Sequence, residues 1–185
     1  MTEEIGSRVP VAIVSREGFP SRGRLGFCPA PGRWHVDVTR ELGRLLDQDL
    51  ASLRACGVTT LVVLLEEEEM VRIGLAGLRE HATRAGLEVL WFPIRDGTPP
   101  ADVEATTQLV QQILERLASG RTVVVHCHGG IGRSGTIAAA CLVASGADPA
   151  RAIEIVRAER PAAATAPGQE EFVHAFAAAW QRQRK

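Results

Sequence analysis

Residues 126 to 135 read His126-Cys127-His128-Gly129-Gly130-Ile131-Gly132-Arg133-Ser134-Gly135, between the apolar run Val123-Val124-Val125 and the helix-like stretch from Thr136 to Leu142. A sulfur, a guanidinium and a hydroxyl set between a buried strand and a helix start form a cradle for phosphate with its own nucleophile. The backbone N–H groups of His128 to Arg133 wrap a point ahead of the helix N-terminus, where the first amides lack intrahelical partners, and so make an anion nest. Gly129, Gly130 and Gly132 let the backbone come close to the anion. The same field favours the thiolate of Cys127. Arg133 offers a planar fork that grips two phosphoryl oxygens, a geometry lysine does not match. Ser134 is placed to donate to the sulfur when the sulfur must leave again. The chemistry expected is attack of Cys127 on phosphorus, a phosphocysteine intermediate and hydrolysis by water.

Other uses of these residues meet physical objections. A rhodanese also presents a cysteine loop before a helix, but with a different loop length and without the Gly-Gly-x-Gly-Arg-Ser run. Three consecutive side chains, His126-Cys127-His128, cannot meet on one ion with tetrahedral geometry, so no metal and no cofactor is expected. A phosphate-binding module with little turnover would share the nest, yet the intact Cys127 and Arg133 argue for an enzyme.

Phosphoester cleavage also needs an acid for the leaving oxygen, carried on a loop near the sulfur. The stretch Trp91-Phe92-Pro93-Ile94-Arg95-Asp96-Gly97-Thr98-Pro99-Pro100 is a strand end running into a Gly/Pro loop with one carboxylate at its turn. Asp96 is the expected acid. Asp102, the alternative, reads as the cap of the helix that follows.

These loops require elements to hold them. Val58 to Leu65, Leu87 to Phe92 and Arg121 to His126 are short apolar or β-branched runs separated by segments with helical spacing, the pattern of strands buried by helices. A helix is predicted from about Ala101 to Ser119 with Gly120 as its stop, another from Asp148-Pro149 to Arg160, and a last one from about Gln169 that turns Phe172, Val173, Phe176 and Trp180 inward. Val11 to Val14 and Gly23 to Phe27 add edge strands. The fold class expected is α/β, a single domain with a central, mostly parallel sheet flanked by helices.

Composition bounds the remaining function classes. A chain of 185 residues that is 45% hydrophobic and carries a formal charge of −1 is long enough for one buried core and has no basic excess for nucleic acid. The acidic start Met1-Thr2-Glu3-Glu4 and the short apolar stretch Val9 to Val14, broken by Pro10, predict neither a signal peptide nor a membrane span. Cys28, Cys56 and Cys141 show no C-x-x-C spacing and read as packing residues, and a nucleophilic thiolate needs a reducing compartment. A cytoplasmic monomer without membrane or nucleic-acid partner is expected. Arginine outnumbers lysine twenty to one and tyrosine is absent, a bias of GC-rich bacterial genomes rather than of function.

The run His126 to Ser134 fills every fixed position of the His-Cys-x5-Arg-Ser/Thr motif and resembles the protein tyrosine phosphatase superfamily. Pro93-Ile94-Arg95-Asp96-Gly97-Thr98-Pro99, the segment Leu25-Gly26 to Pro31-Gly32 and the junction Asp49-Leu50 to Gly57-Val58 extend the resemblance, over Leu25 to Phe176, to the kinase-associated, cyclin-dependent kinase inhibitor 3-type dual-specificity phosphatases. The resemblance implies a dual-specificity phosphatase domain over residues 25–180 behind an N-terminal segment of residues 1–24. It also implies Cys127 as nucleophile, Arg133 as phosphate clamp and Asp96 as general acid. Gln169 resembles a glutamine near the pocket of several phosphatase branches and reads equally well as a polar first-turn helix residue. His126 reads as a residue that tunes the thiol through the backbone and packs beneath the loop.

Nothing resembles the long phosphotyrosine-recognition insertion of classical tyrosine phosphatases, so a shallow pocket accepting phosphoserine, phosphothreonine and phosphotyrosine in a protein or peptide is expected. The loop interior His128-Gly129-Gly130-Ile131-Gly132 has no lysine for a polyanionic headgroup, which ranks phosphoinositides or other small phosphoesters second. The acidic run Glu66 to Glu69 reads as a solvated helix start. His35, His81 and His174 read as ordinary surface residues.

Overall fold

The structure is a computed structural model that describes residues 6–14, 22–33 and 42–183; Met1 to Glu4 and His35 lie outside the described residues. In chain order its elements are β1 (Ala12–Ile13), β2 (Arg24–Cys28), α1 (Leu42–Ala55), β3 (Val58–Val63), α2 (Glu67–Arg72), α3 (Leu78–Arg84), β4 (Glu88–Trp91), α4 (Val103–Ala118), β5 (Thr122–His126), α5 (Gly132–Ala144), α6 (Pro149–Glu159) and α7 (Gln169–Gln183). The five strands form one sheet in the order β1-β2-β5-β3-β4. Only β1, at one edge, runs antiparallel to its neighbour. The predicted α/β architecture with a mostly parallel sheet is therefore the one observed.

The strands are apolar along their length because both faces of the sheet are covered, as parallel sheets require. Along β5, Val123 and Val125 belong to the core beneath α4, α5, α6 and α7, while Val124 belongs to the core beneath α1 and α3. Along β3 and its extension, Val62 and Leu64 take the first side and Leu61, Val63 and Leu65 the second. This two-residue alternation is the strand period. N-terminal to β2, Val9, Val11 and Ile13 pack into the second core, and Arg160 on the α6 side donates to the Pro10 carbonyl at 2.5 Å.

Element ends follow from local chemistry. The helix predicted from Ala101 starts at Val103 because Asp102 is its N-cap, accepting from the N–H groups of Glu104 and Ala105 at 2.8 and 3.1 Å. Asp148 caps α6 in the same way, with Pro149 at the first helical position. α7 buries Phe172, Val173 and Phe176 as expected, whereas Trp180 is half-buried and stacks on Phe176 with ring centroids 5.7 Å apart. His81 departs from the plain surface reading, since its Nδ1 lies 2.6 Å from Asp47 Oδ1 on α1.

Register decides where a site can form. Cys28 and Val63 both stand level with His126, and Trp91 stands level with Val63, so β2, β3, β4 and β5 all end at one edge. The segments that follow them must emerge side by side at the carboxyl ends of the strands, where open α/β sheets bind ligands.

Candidate active site

The loop between β5 and α5 is assembled by close backbone packing. His128 O accepts from Ala30 N at 2.9 Å, which ties the loop to the segment leaving β2. Beneath it Gly130 has φ +66°, and a Cβ at this position would stand 2.2 Å from Cys28 C and Pro29 N. No side chain but hydrogen fits there. This contact gives the Leu25 to Gly32 segment its place in the site: it is the floor of the loop.

Cys127, 3% exposed, sits at the base of the loop with its Sγ 3.4 Å from the buried Ser134 Oγ. α5 begins at Gly132 with no side-chain cap, so its first N–H groups remain available ahead of a 13-residue helix. His126 lies below, fully buried, its Nδ1 3.2 Å from Cys127 O. Burial, the largest cause, pushes the His126 pKa down to about 4; the bond to Cys127 O opposes this and the charge of Arg133 adds to it. The imidazole is neutral at pH 7.

Arg133 is where the structure most extends the sequence reading. Its two terminal nitrogens face the carboxylate of Glu69 as a bidentate pair, Nη1 to Oε2 at 2.6 Å and Nη2 to Oε1 at 2.8 Å, and Nη1 also donates to the Ile94 carbonyl at 2.9 Å. Nη2 meets Asp96 Oδ1 at 2.8 Å. The fork expected to face phosphate is thus turned toward Glu69, and the Nη2 edge holds Asp96. Arg133 and Glu69 are both 2% exposed.

Glu69 corrects the expectation of a solvated helix start. Glu67 and Glu68 are exposed, but Glu69 points into the protein. Burial alone would push its carboxyl up, yet the hydrogen bonds and charge of Arg133, with His128 and Arg72 adding, outweigh it and hold the group below the ordinary carboxylate value. For Arg133, burial lowers the pKa, and the Glu69 bonds with the charges of Cys127, Glu69 and Asp96 reverse it to a net rise. His128 Nδ1 stands 3.9 Å from Glu69 Oε1, its ring partly exposed at the loop rim. A signal for Glu69 was present: it is adjacent to Met70 on α2 and four residues before Ile73 at the helix end, both buried, so it shares their inward arc.

The remaining site residues divide cleanly. Asp96 lies in an exposed turn in which Thr98 N and Oγ1 both donate to Arg95 O, at 3.2 and 2.9 Å. Asp102 is occupied as a helix cap and stays out of the cluster. Gln169, the first residue of α7, is 1% exposed and lies against Gly132. Cys28 and Cys141 are fully buried, and burial pushes both thiols far up. No three His, Cys, Asp or Glu groups are gathered to hold a metal among the described residues. Nor is any described helix long and apolar enough to cross a membrane.

The human protein named cyclin-dependent kinase inhibitor 3 is 29% identical over 156 residues, 82% of this chain and 71% of that relative. A crystal structure of kinase-associated phosphatase, with serine in place of its catalytic-site cysteine, superposes with a TM-score of 0.84 at 24% identity, covering 95% of this chain and 98% of that one. The active form of Tk-PTP matches at 30% identity and a TM-score of 0.64, covering 86% and 98% of the two chains. Residues 41–147 match the family model described as Tc-R-P, polymorphic toxin system, DSP-PTPase phosphatase. With that match spanning more than half of its length, the chain belongs to this family and is a cysteine-based protein phosphatase of the dual-specificity type within the protein tyrosine phosphatase superfamily.

Proposed function

We propose that this chain hydrolyses both phosphothreonine and phosphotyrosine esters of proteins, through a phosphocysteine formed on Cys127. The observation that carries this reading is the convergence on one short loop of Cys127, 3.4 Å from Ser134, and of Arg133, 2.8 Å from Asp96. A nucleophile, a cation and an acid then flank one anion slot.

In the first step the substrate phosphate enters the nest formed by the N–H groups of His128, Gly129, Gly130, Ile131, Gly132 and Arg133. It displaces Asp96 from Nη2 of Arg133, which Glu69 keeps oriented. Released from Arg133 beside the phosphate's negative charge, the Asp96 carboxylate takes a proton from solvent; Cys127 sulfur then bonds to phosphorus as the ester P–O bond breaks, and Asp96 gives that proton to the departing oxygen. In the second step water attacks phosphorus, its proton passes to Asp96, and the P–S bond breaks with Ser134 donating to the leaving thiolate. His126 supports the loop from beneath by its contact with Cys127 O. The catalytic unit is residues 25–180, with the N-terminal segment, residues 1–24, adding an edge strand. The protein acts as a cytoplasmic monomer on phosphorylated protein or peptide, with no nucleic-acid or membrane partner and no cofactor.

The grip on the phosphate reads nothing of the side chain that bears it, so selectivity falls to the rim around Arg95, Gly97 and residues 165–169. Purified protein assayed on matched phosphothreonine and phosphotyrosine peptides, inositol phosphates and phosphoinositide vesicles tests the reading. Both peptides should be hydrolysed with kcat/KM values within about two orders of magnitude, under ~3 kcal/mol of rim discrimination. Exclusive use of phosphotyrosine, or faster action on inositol lipids than on either peptide, overturns the substrate class. Phosphopeptide binding without turnover would make the chain a phosphate-reading module.

A further inference from the structure

Gln169 is a buried amide whose two ends are both engaged, and its contacts run toward the acid loop. Nε2 donates to Thr98 O at 3.2 Å, and Oε1 accepts from Ala166 N at 3.2 Å. The amide lies flat on the phosphate loop, since a Cβ built on Gly132 would stand 3.0 Å from both Nε2 and Oε1. One residue earlier Gly168, at φ +82°, brings its backbone against Pro99, whose Cγ would be 3.3 Å from an added Cβ. The start of α7 therefore touches the acid loop at Thr98 and Pro99 and the phosphate loop at Gly132.

Thr98 is the residue that closes the turn bearing Asp96, through its two hydrogen bonds to Arg95 O. Asp96 and Gly97 themselves are exposed, and a Cβ on Gly97 would meet nothing within 4 Å. Upstream the turn is tied at buried Ile94, which donates to Leu64 O and accepts from Arg133 Nη1; downstream, apart from the Asp96–Arg133 contact that the substrate must break, its anchor is Thr98. An amide in this position has an alternative use, that of holding the hydrolytic water of the second step. Gln169 is 1% exposed, however, and each of its polar atoms is already tied to the backbone, Nε2 to Thr98 and Oε1 to Ala166, so one N–H and one lone pair are all that would serve a water, and a double-mutant cycle separates the two roles.

We propose that Gln169 is a positioning residue for the general acid: it latches Thr98 to the phosphate loop, so that Asp96 stays within reach of the leaving oxygen after the phosphate has displaced it from Arg133. The proposal rests on the assignment of Asp96 as the acid. It differs from a water-holding role in the step it affects, because a misplaced acid harms esters in proportion to the basicity of their leaving group.

The test is a double-mutant cycle of Gln169→Met with Asp96→Asn, read on an alkyl phosphoester peptide and on an activated aryl phosphate. Gln169→Met keeps the side-chain volume and removes both hydrogen bonds; Gln169→Asn, too short to reach Thr98, replaces it if the thioether is not accommodated. Either variant should lower kcat on the alkyl ester by about 10-fold or more and on the aryl ester by less than about 3-fold, with KM little changed. In the Asp96→Asn background the same substitution should cost nothing further. Equal losses on both esters, or full additivity with Asp96→Asn, overturn the proposal. So does a burst of leaving group that persists in the Asp96→Asn background, which would place Gln169 on the water. If Asp96→Asn alone shows no leaving-group dependence, the acid assignment itself falls and takes the proposal with it.

Discussion

Between Cys127 and Ser134 the chain is held by Cys28 to Ala30, by Glu69 of α2 and by Ile94, with Cys127, Gly130, Arg133 and Ser134 all buried, whereas between Arg95 and Gly97 it is exposed and carries its one carboxylate on a bare turn. Gly130 fits beneath the loop with no room for a methyl group, while Gly97 has open space around it. The two loops touch through Arg133 and, by way of Gln169, through Thr98. Their difference separates two duties. In the proposed mechanism, grip on the phosphate is built into the packing of the sheet and is as stable as the fold, whereas delivery of the proton sits on a segment whose local contacts are few and so can shift when the substrate arrives.

The comparison breaks hardest at the sulfur. Cys127→Ser should abolish turnover, with a loss on the order of 10⁶-fold as when a nucleophile is removed from other covalent hydrolases. Vanadate binding should persist, because the nest is backbone; isothermal titration of the variant measures it, and retained turnover would sink the mechanism. Next comes the acid. Asp96→Asn should cost roughly 10²–10⁴-fold on alkyl phosphoesters and much less on activated aryl esters, seen in kcat rather than in binding. Since the substitution also weakens the hold on Arg133 Nη2, phosphate should bind at least as tightly as to the unaltered protein. A larger effect from Asp102→Asn would mean that the helix cap is the acid.

Glu69 belongs to the rigid side of the comparison, so its loss should appear in stability as well as in rate. Glu69→Ala leaves Arg133 buried without its bidentate partner and should lower the unfolding free energy by about 3–5 kcal/mol, measured by urea denaturation. No change in the midpoint would show that Ile94 O and Asp96 suffice to hold the guanidinium.

The smallest effect is a pH dependence from beneath the loop. The unfolded chain protonates His126 near its ordinary 6.5, while the folded protein resists until about 4. The unfolded state therefore binds more protons throughout that window, so stability is full above pH 6.5 and falls as pH drops toward 4, by about 3 kcal/mol in total. Glu69, whose pKa the fold lowers, adds its loss only below the ordinary carboxylate value of 4.5. Glu159, whose pKa burial raises, contributes with the opposite sign above 4.5, so the His126 part is the difference in the pH 7 to pH 5 change of the unfolding midpoint between the unaltered protein and His126→Asn, and the variant should flatten that slope. An unchanged slope would assign the acid sensitivity elsewhere.

What was legible beforehand follows from sequence distance. The strand, the Gly-rich loop and the helix bearing Cys127, Arg133 and Ser134 are contiguous, so local periodicity and glycine placement suffice to read them. The caps at Asp102 and Asp148 lie within three residues of the N–H groups they serve and were legible for the same reason. Glu69 was legible only in part: its spacing to Met70 and Ile73 marks the inward arc, but the residue that makes a buried carboxylate tolerable there, Arg133, is 64 positions away.

The amino-acid sequence by itself determined an α/β scaffold, the contiguous Cys127 to Ser134 loop between its strand β5 and helix α5, and the exposed turn carrying Asp96, the parts that the proposed phosphatase chemistry uses. The tertiary structure alone decided which groups meet at Arg133 and that Gln169 reaches Thr98, 71 residues earlier. The physical reason is the sheet order β1-β2-β5-β3-β4, which sets the ends of separate strands side by side. Long-range pairing of this kind is fixed by strand register and by the need to compensate a buried charge, and neither is written in any local stretch of the chain.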